Sequence, residues 1–214
     1  MPAEQIHLVR HGEVFNPQGV LYGRLPEFGL SDLGRSMAQA AADDLVSRAR
    51  PVSALVASPL LRTQQSAEPI AAAFGLAPAL DERVIEPENR FEGKRMRGPD
   101  GALRDIRNWP LLVNPWRPSW GEPFRSIADR MLAAVGDAWQ SVDGGDVVIV
   151  SHQLPIWMVH RHLAGASLAH DPRHRRCALS SITTLERRGD RFVEVGYTDP
   201  AAGLAAQATD VGAV

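Results

Sequence analysis

The chain of 214 residues contains a single cysteine, Cys177. One thiol excludes an intrachain disulfide, and it excludes a metal site built from several cysteines. A reducing compartment is the simplest setting for such a chain, so we expect a cytoplasmic protein.

Long apolar runs and an excess of charge of one sign are also missing. No run approaches the ~20 apolar residues that a helix needs to cross a bilayer. The sequence motif LVRHGE starts at residue 8, so we expect no cleaved signal peptide before it. The net charge is −2 and the pI about 6.4, whereas a general nucleic-acid binder usually has a basic domain. We therefore expect neither a membrane nor a nucleic acid as partner.

The composition is that of an ordinary globular protein, with 44% hydrophobic and 22% charged residues. Apolar runs typical of buried strands alternate with segments of helical spacing along most of the chain. This alternation predicts an α/β fold: a three-layer sandwich with a mostly parallel central sheet, an antiparallel edge, flanking helices and a lid insertion. Residues 1–198 are predicted to form one domain, and the Ala/Gly-rich residues 199–214 a peripheral tail.

Local signals predict where the elements lie. Ser31 is a predicted N-cap, Gly75 a predicted helix end, and residues 86–123 a partly helical insertion that covers the site. Strands are predicted at 6–9, 54–58, 83–85, 147–150, 181–186 and 191–197, and helices at 32–48, 60–74, 124–140 and 154–163.

The first strand ends in the sequence LVRHGE at residues 8–13. Gly12 allows a sharp turn there, so Arg10 and His11 are delivered together at the carboxyl end of a strand. Ligands of open α/β sheets bind at such ends. Arginine presents a planar fork of donors to phosphate oxygens, and a neutral imidazole is a nucleophile at physiological pH.

Two further strands end in polar side chains. His152 follows the strand at 147–150, and the strand at 54–58 leads through Ser58 to Arg62, one turn into a helix. In a mostly parallel sheet these ends lie on the same side. Two histidines and two arginines are therefore expected to converge, although each alone has a structural explanation. Ser58 could cap the helix or touch the phosphate-binding side chains, and we favour the cap.

These segments, at 8–13, 58–67 (SPLLRTQQSA) and 150–152 (VSH), resemble the three hallmark segments of the histidine phosphatase superfamily. That family includes cofactor-dependent phosphoglycerate mutases, fructose-2,6-bisphosphatases and small broad-specificity phosphatases. The resemblance extends from residue 6 to about 197. It implies that His11 is the nucleophile and forms a phosphohistidine, and that Arg10, Arg62 and His152 bind the transferring phosphoryl group.

The resemblance also implies a general acid soon after the third strand. The family often has a Trp-Glu-Gly tripeptide beyond that acid, and FEG stands near the corresponding place here, at residues 91–93. Glu86 is the expected acid, with Glu88 and Glu82 as rivals. Asn16 stands near the position of the family's phosphate-contacting asparagine, but five residues past His11 instead of the family's six. The binding candidates are Arg10, Arg62, His152, Asn16 and Gln153.

We expect a phosphatase that hydrolyses small phosphate monoesters without a metal or other cofactor. Two arginines and an imidazole can compensate the negative charge on the oxygens of the phosphoryl group while it is transferred. The histidines show no metal-ligand spacing. Alternatives are phosphoglycerate mutase-type transfer and a non-catalytic module that binds phosphorylated ligands. The loop of His170, His174, Arg173, Arg175 and Arg176 is most simply a solvated surface, although it could line a site for an anionic substrate.

Overall fold

The computed structural model describes residues 2–96, 101–102, 106–107, 109 and 120–210. Its centre is a six-stranded sheet in the order β3-β2-β4-β1-β5-β6. The strands are β1 (Gln5–Arg10), β2 (Val52–Ala57), β3 (Ala79–Leu80), β4 (Asp146–Ser151), β5 (Ile182–Arg188) and β6 (Arg191–Thr198). The first four are parallel, and β5 and β6 form an antiparallel hairpin at one edge. The predicted fold class is confirmed.

In the described part of the chain, four α-helices cover the two faces of the sheet: α1 (Asp32–Ser47), α2 (Leu61–Phe74), α3 (Phe124–Gln140) and α4 (Gln153–Leu163). Side chains alternate faces along a strand. In β4, Val147 and Ile149 therefore belong to the core that includes α3 and α4, while Val148 and Val150 pack with residues of α1 and α2. This burial on both faces explains the continuous apolar run of β4. Among the described residues, no helix has the length and apolarity that crossing a membrane requires.

Local chemistry sets the helix ends as predicted. The Ser31 side chain accepts a hydrogen bond from the Gly34 amide at the start of α1, and Gly75 ends α2 in the left-handed conformation (φ 66°). Gly12 has a different role from the predicted turn. A Cβ built on Gly12 would lie 2.3 Å from the Gly34 carbonyl oxygen, so glycine there allows the β1 loop to touch α1.

The sheet order brings the expected strand ends together. β4 lies between β2 and β1, with Arg10 in register with Ser151 and Ala57 in register with Val150. Because the three strands are parallel, the residues that follow them leave the sheet at the same edge.

The strand predicted at 83–85 is wrong. Glu82–Val84 form a 3₁₀ turn, capped by the Asp81 side chain that accepts from the Arg83 amide, and the edge strand is the earlier pair Ala79–Leu80. A local side-chain hydrogen bond here outcompetes the β propensity of Val84 and Ile85.

Much of the predicted insertion at 86–123 lies outside the described residues. Its described part contains two isolated bridges, one between Val20 and Arg95 and one between Asn89 and Gly121. The last described residues of the tail, Thr209 and Asp210, are exposed and contact the loop after β1 and Arg10. The peripheral position of residues 199–214 stays a prediction.

Candidate active site

His11 lies at the carboxyl end of β1 with 1% of its surface exposed. Its Nδ1 donates to the carbonyl oxygen of Gly12 at 2.8 Å, which leaves Nε2 as the nitrogen with the lone pair. Burial, with the positive charges of Arg62 and Arg10, lowers the pKa of His11 well below its usual value. The imidazole is therefore neutral near pH 7 and can act as a nucleophile.

The ring of His152 lies at a centroid distance of 5.2 Å from that of His11. Its Nε2 is 2.8 Å from the hydroxyl oxygen of Ser58. Burial and the charge of Arg62 lower the pKa of His152, so this imidazole is also neutral. With Ser58 donating to Nε2, the proton of His152 lies on Nδ1, where it can be donated to an anion.

This contact gives Ser58 a different role from the predicted helix cap. α2 begins after Leu60 without a side-chain cap, and the Leu60 amide lies 3.5 Å from the Ser58 hydroxyl, at the limit of a hydrogen bond. The favoured prediction is therefore wrong, and Ser58 orients His152.

Two buried guanidinium groups supply the positive charge of the site. Arg10 donates from Nη1 to the carbonyl oxygen of Cys177 at 2.7 Å, and Arg62 donates from Nη2 to that of Gly23 at 2.6 Å. Among the described residues nothing hydrogen-bonds Arg10 Nε, Arg62 Nε or Arg62 Nη1, although all three atoms are buried. Buried donors without partners are rare, so this cluster is suited to an anion with several oxygens.

Tyr22 belongs to the site although the sequence interpretation did not identify it. The Arg62 guanidinium carbon lies 4.7 Å above the centroid of the Tyr22 ring, and this buried ring fixes its plane. Burial raises the pKa of Tyr22 to about 12, so its hydroxyl is neutral. An irregular loop with many Gly and Pro residues carries Tyr22, and no periodic pattern there indicated burial.

Of the three acid candidates, the structure brings Glu86 to the histidines. Its carboxylate Oε2 lies 3.5 Å from His152 Nδ1, and 2% of the residue is exposed. Burial raises the pKa of Glu86 to about 7, against the opposing charge of Arg62. Glu88 is 78% exposed and pairs with Arg24, and Glu82 is exposed in the 3₁₀ turn.

A cavity of about 150 Å³ adjoins the segment that follows Glu86. Its wall is mainly apolar, and Arg175 contributes a guanidinium that donates to Gln153 Oε1 at 3.2 Å and to His170 Nε2 at 2.9 Å. The lining comprises Pro87, Glu88, Trp120, Gly121, Glu122, Phe124, Leu154, His170, Pro172 and Arg175. Thus two members of the predicted basic loop, His170 and Arg175, line a cavity beside the site.

The remaining binding candidates have distinct surroundings. Gln153 lies near the pocket, with Nε2 3.5 Å from the Cys177 carbonyl oxygen that Arg10 also contacts. Asn16 exchanges two hydrogen bonds with the backbone of Val20. The structure therefore assigns Asn16 a local role in its loop, and its contact with a phosphoryl group stays a prediction.

The assembled groups can attack, hold and protonate a phosphoryl ester. The guanidinium groups of Arg10 and Arg62 and the neutral imidazole of His152 lie around the neutral imidazole of His11, and Glu86, with a pKa raised to about 7, lies beside His152. Phosphoryl transfer needs positioning and charge compensation of this kind. Among the described residues there is no group of three or more His, Cys, Asp or Glu side chains arranged to hold a metal ion.

Comparison with known proteins gives a consistent result. The family model of the histidine phosphatase superfamily (branch 1) matches residues 6–200. The uncharacterized protein Rv0525 of Mycobacterium tuberculosis (strain H37Rv) is 53% identical over 94% of this chain and 100% of its own length. A probable phosphoglycerate mutase, GpmB of Enterobacter sp. (strain 638), is 28% identical over 93% and 92% of the two chains. The mycobacterial glucosyl-3-phosphoglycerate phosphatase Rv2419c, solved with inorganic phosphate, superimposes with a TM-score of 0.69 at 23% identity, covering 90% of this chain and 96% of its own.

Proposed function

Because the chain belongs to branch 1 of the histidine phosphatase superfamily, we propose that it is a phosphatase that hydrolyses phosphate monoesters through a phosphohistidine on His11. The hydrogen bond from His11 Nδ1 to the Gly12 carbonyl carries this proposal. It directs the nucleophilic lone pair to Nε2 in a pocket where buried arginine donors can bind phosphate oxygens.

In the first step Nε2 of His11 attacks phosphorus and the bond from phosphorus to the ester oxygen breaks. Arg10, Arg62 and the Nδ1 proton of His152 compensate the charge on the three phosphoryl oxygens. The leaving oxygen takes the electron pair of the broken bond and the proton of Glu86. A carboxyl with a pKa of about 7 is suited to this donation at neutral pH.

In the second step water replaces the alcohol. The Glu86 carboxylate accepts a proton from that water, its oxygen attacks phosphorus, and the phosphorus–nitrogen bond breaks. Inorganic phosphate leaves, and His11 and protonated Glu86 are regenerated. No metal or other cofactor takes part in the proposed steps.

The leaving alcohol must lie on the side of Glu86, next to the cavity lined by Phe124, Leu154 and Arg175. We therefore expect good substrates to have a small, partly apolar alcohol with a negatively charged or hydrogen-bonding group within reach of the guanidinium.

Phosphate release and phosphorus NMR test the proposal together. We expect several unrelated monoesters to release inorganic phosphate, and we expect an alkaline quench to trap phosphohistidine, because its phosphorus–nitrogen bond survives in base and hydrolyses in acid. His11→Ala should abolish both results, while the exposed matched control His162→Ala keeps them. With 3-phosphoglycerate and catalytic 2,3-bisphosphoglycerate, rapid formation of 2-phosphoglycerate with little free phosphate would instead establish a mutase, as the GpmB similarity suggests. Phosphate binding without any turnover would establish a non-catalytic module.

A further inference from the structure

Glu86 follows a 3₁₀ turn and lies in a stretch that is neither helix nor strand. Side chains from other elements hold the backbone that leads to it. Arg130 of α3 donates from Nη1 to the carbonyl oxygen of Arg83 at 2.6 Å, and the Ser151 hydroxyl at the end of β4 donates to that of Val84 at 2.7 Å. The approach to Glu86 is therefore fixed from the core, and the placement of Glu86 itself depends on contacts of its own.

Arg24, in the loop after β1, contacts the backbone of Glu86 directly. Its Nε donates to the Glu86 carbonyl oxygen at 2.6 Å. The far end of the same guanidinium forms ion pairs, with Nη1 3.1 Å from Glu88 Oε1 and Nη2 3.6 Å from Glu122 Oε2. The Arg24 side chain is 30% exposed and Glu88 is exposed, so their pairing contributes little to stability. The hydrogen bond from Nε is the contact that reaches the acid residue.

The same dipeptide also fixes one of the phosphate-binding cations. The carbonyl oxygen of Gly23 accepts from Arg62 Nη2 at 2.6 Å, and the Arg24 amide donates to Glu92 Oε1 at 2.9 Å. A Cβ built on Gly23 would lie 2.2 Å from that Glu92 oxygen, so glycine allows the carboxylate to approach. Gly23 and Arg24 thus hold a guanidinium and the general acid from adjacent positions.

These two groups act on opposite ends of the bond that breaks in the proposed reaction. Arg62 compensates charge on the phosphoryl oxygens, and Glu86 gives its proton to the ester oxygen. Their relative position must therefore be kept closely, because a misplacement of about 1 Å can cost about 10²-fold in rate.

We propose that Arg24 is a positioning residue of the reaction. The hydrogen bond from its Nε to the Glu86 carbonyl oxygen holds the general acid beside the leaving oxygen. The inference rests on the proposed function. In this role Arg24 acts through Glu86 and does not itself contact the reacting atoms.

Two substitutions of Arg24 isolate this hydrogen bond. Arg24→Gln and Arg24→Met both remove the positive charge and the ion pairs. Glutamine has an amide nitrogen, and methionine a methyl carbon, the same number of bonds from Cα as arginine Nε. Only glutamine can therefore donate to the Glu86 carbonyl.

Steady-state kinetics on two esters gives the expected pattern. Arg24→Met should lower kcat/KM for an alkyl phosphate, whose leaving oxygen needs a proton, by about tenfold to a hundredfold. Its kcat/KM for 4-nitrophenyl phosphate should stay within about threefold, because nitrophenolate leaves without a proton. Arg24→Gln should restore kcat/KM for the alkyl ester to within about threefold of the wild-type value. Equal losses on both esters, or equal losses in the Met and Gln variants, would overturn the proposal.

A matched control and a double variant separate positioning from a general loss of structure. Arg35→Met removes an exposed arginine of α1 that pairs with Glu68, and it should leave kcat/KM unchanged for both esters. In the Glu86→Gln background, Arg24→Met should cause no further loss on the alkyl ester, because the two residues act as one unit. Losses that add would show that Arg24 acts independently of Glu86, contrary to the proposal.

Crystal structures of the wild-type protein and both variants show the placement of the acid without any turnover. The contact between Glu86 Oε2 and His152 Nδ1, 3.5 Å here, should be kept in Arg24→Gln and lost in Arg24→Met. An unchanged contact in Arg24→Met would overturn the proposal. A protein whose structures change as stated, but which hydrolyses neither ester, would contradict only the proposed function, because the placement of Glu86 by Arg24 would stand.

Discussion

At the scale of single residues, the pocket combines charged guanidinium groups with neutral imidazoles because all of them are removed from water. Burial lowers the pKa of His11 and His152, and the nearby arginines lower it further. The same burial raises the pKa of Glu86. One environment thus favours a neutral nucleophile and a protonated acid at the same pH.

The substitution Glu86→Gln should distinguish substrates by their leaving group. An alkyl phosphate leaves as a strong base and needs a proton, whereas nitrophenolate leaves without one. General acid catalysis typically contributes ~10²–10⁴-fold, so kcat/KM for an alkyl phosphate, which covers the steps up to phosphohistidine formation, should fall by about that factor more than kcat/KM for 4-nitrophenyl phosphate. Steady-state kinetics with both esters measures the gap.

The pH profile and a neighbouring glutamate provide the controls. Wild-type turnover of the alkyl ester should fall as pH rises through about 7, because the protonated form of Glu86 is lost, and this limb should be absent in Glu86→Gln. The exposed Glu88→Gln should affect neither ester. An equal loss of kcat/KM on both esters in Glu86→Gln would show that Glu86 is not the acid.

At the scale of elements, the strand ends were predictable and their supporting contacts were not. The apolar runs that lead to Arg10 and His152 are local in the sequence, and parallel pairing places their ends together. From the local sequence, Ser58 could either cap the following helix or contact the phosphate-binding side chains. The choice depended on His152, which lies 94 positions away in the chain. Long-range hydrogen bonds of this kind leave no periodic signal.

We predict that Ser58→Ala lowers kcat by about tenfold to a hundredfold. Loss of one buried hydrogen bond costs about 1–3 kcal/mol, and each 1.4 kcal/mol is tenfold in rate. The same lost hydrogen bond should also lower the thermal midpoint relative to the control Ser53→Ala, which replaces an exposed serine of β2, the strand that Ser58 follows. A wild-type kcat in Ser58→Ala would mean that His152 does not need this contact.

At the scale of the whole molecule, the sheet has a polar cluster at each end. At the end remote from the pocket, Asp146 is fully buried and accepts hydrogen bonds from Arg50 Nε at 2.6 Å and from the Gln5 amide at 3.1 Å. His7 Nε2 lies 3.2 Å from Asp146 Oδ2, the oxygen that Arg50 Nε also contacts. Burial alone would raise the pKa of Asp146, but the bonds from Arg50 and His7 lower it to about 2.

Asp146→Asn should therefore destabilise the fold and leave the chemistry unchanged. Losing the charge of a buried carboxylate with several hydrogen bonds should lower the free energy of unfolding by roughly 2–4 kcal/mol, because its partner Arg50 is only partly buried. This loss corresponds to a decrease in Tm of roughly 5–15 °C. This stabilisation is present above the unfolded pKa and is lost as pH falls through about 2, so the difference in Tm should shrink at acid pH.

Calorimetry and kinetics on the same variant check both parts. Asp146 begins β4 and His152 follows it, so they are separated by roughly 20 Å of strand and kcat should stay at the wild-type value. The control is Asp129→Asn, which removes an exposed ion pair with Arg125 and should cost under about 1 kcal/mol. Equal Tm values for both variants would contradict the prediction.

The tail is where the sequence was least informative about the whole molecule. Its Ala- and Gly-rich composition indicated a loose end, yet Asp210 reaches Arg10 across 200 positions. Neither residue carries a local pattern that encodes this contact. It depends on where α1 and the residues after α4 place Met37 and Leu179, the surface against which the tail packs.

The hydrogen bond that orients His11 has a consequence for engineering. Its acceptor is the peptide carbonyl of Gly12, a group that every amino acid carries, so no replacement of another side chain deletes it. The walls of the cavity in which we expect the alcohol, including Phe124 and Leu154, lie on other elements. Laboratory evolution can therefore vary the residues of those walls widely, while the hydrogen bond from His11 Nδ1 to the Gly12 carbonyl oxygen is kept.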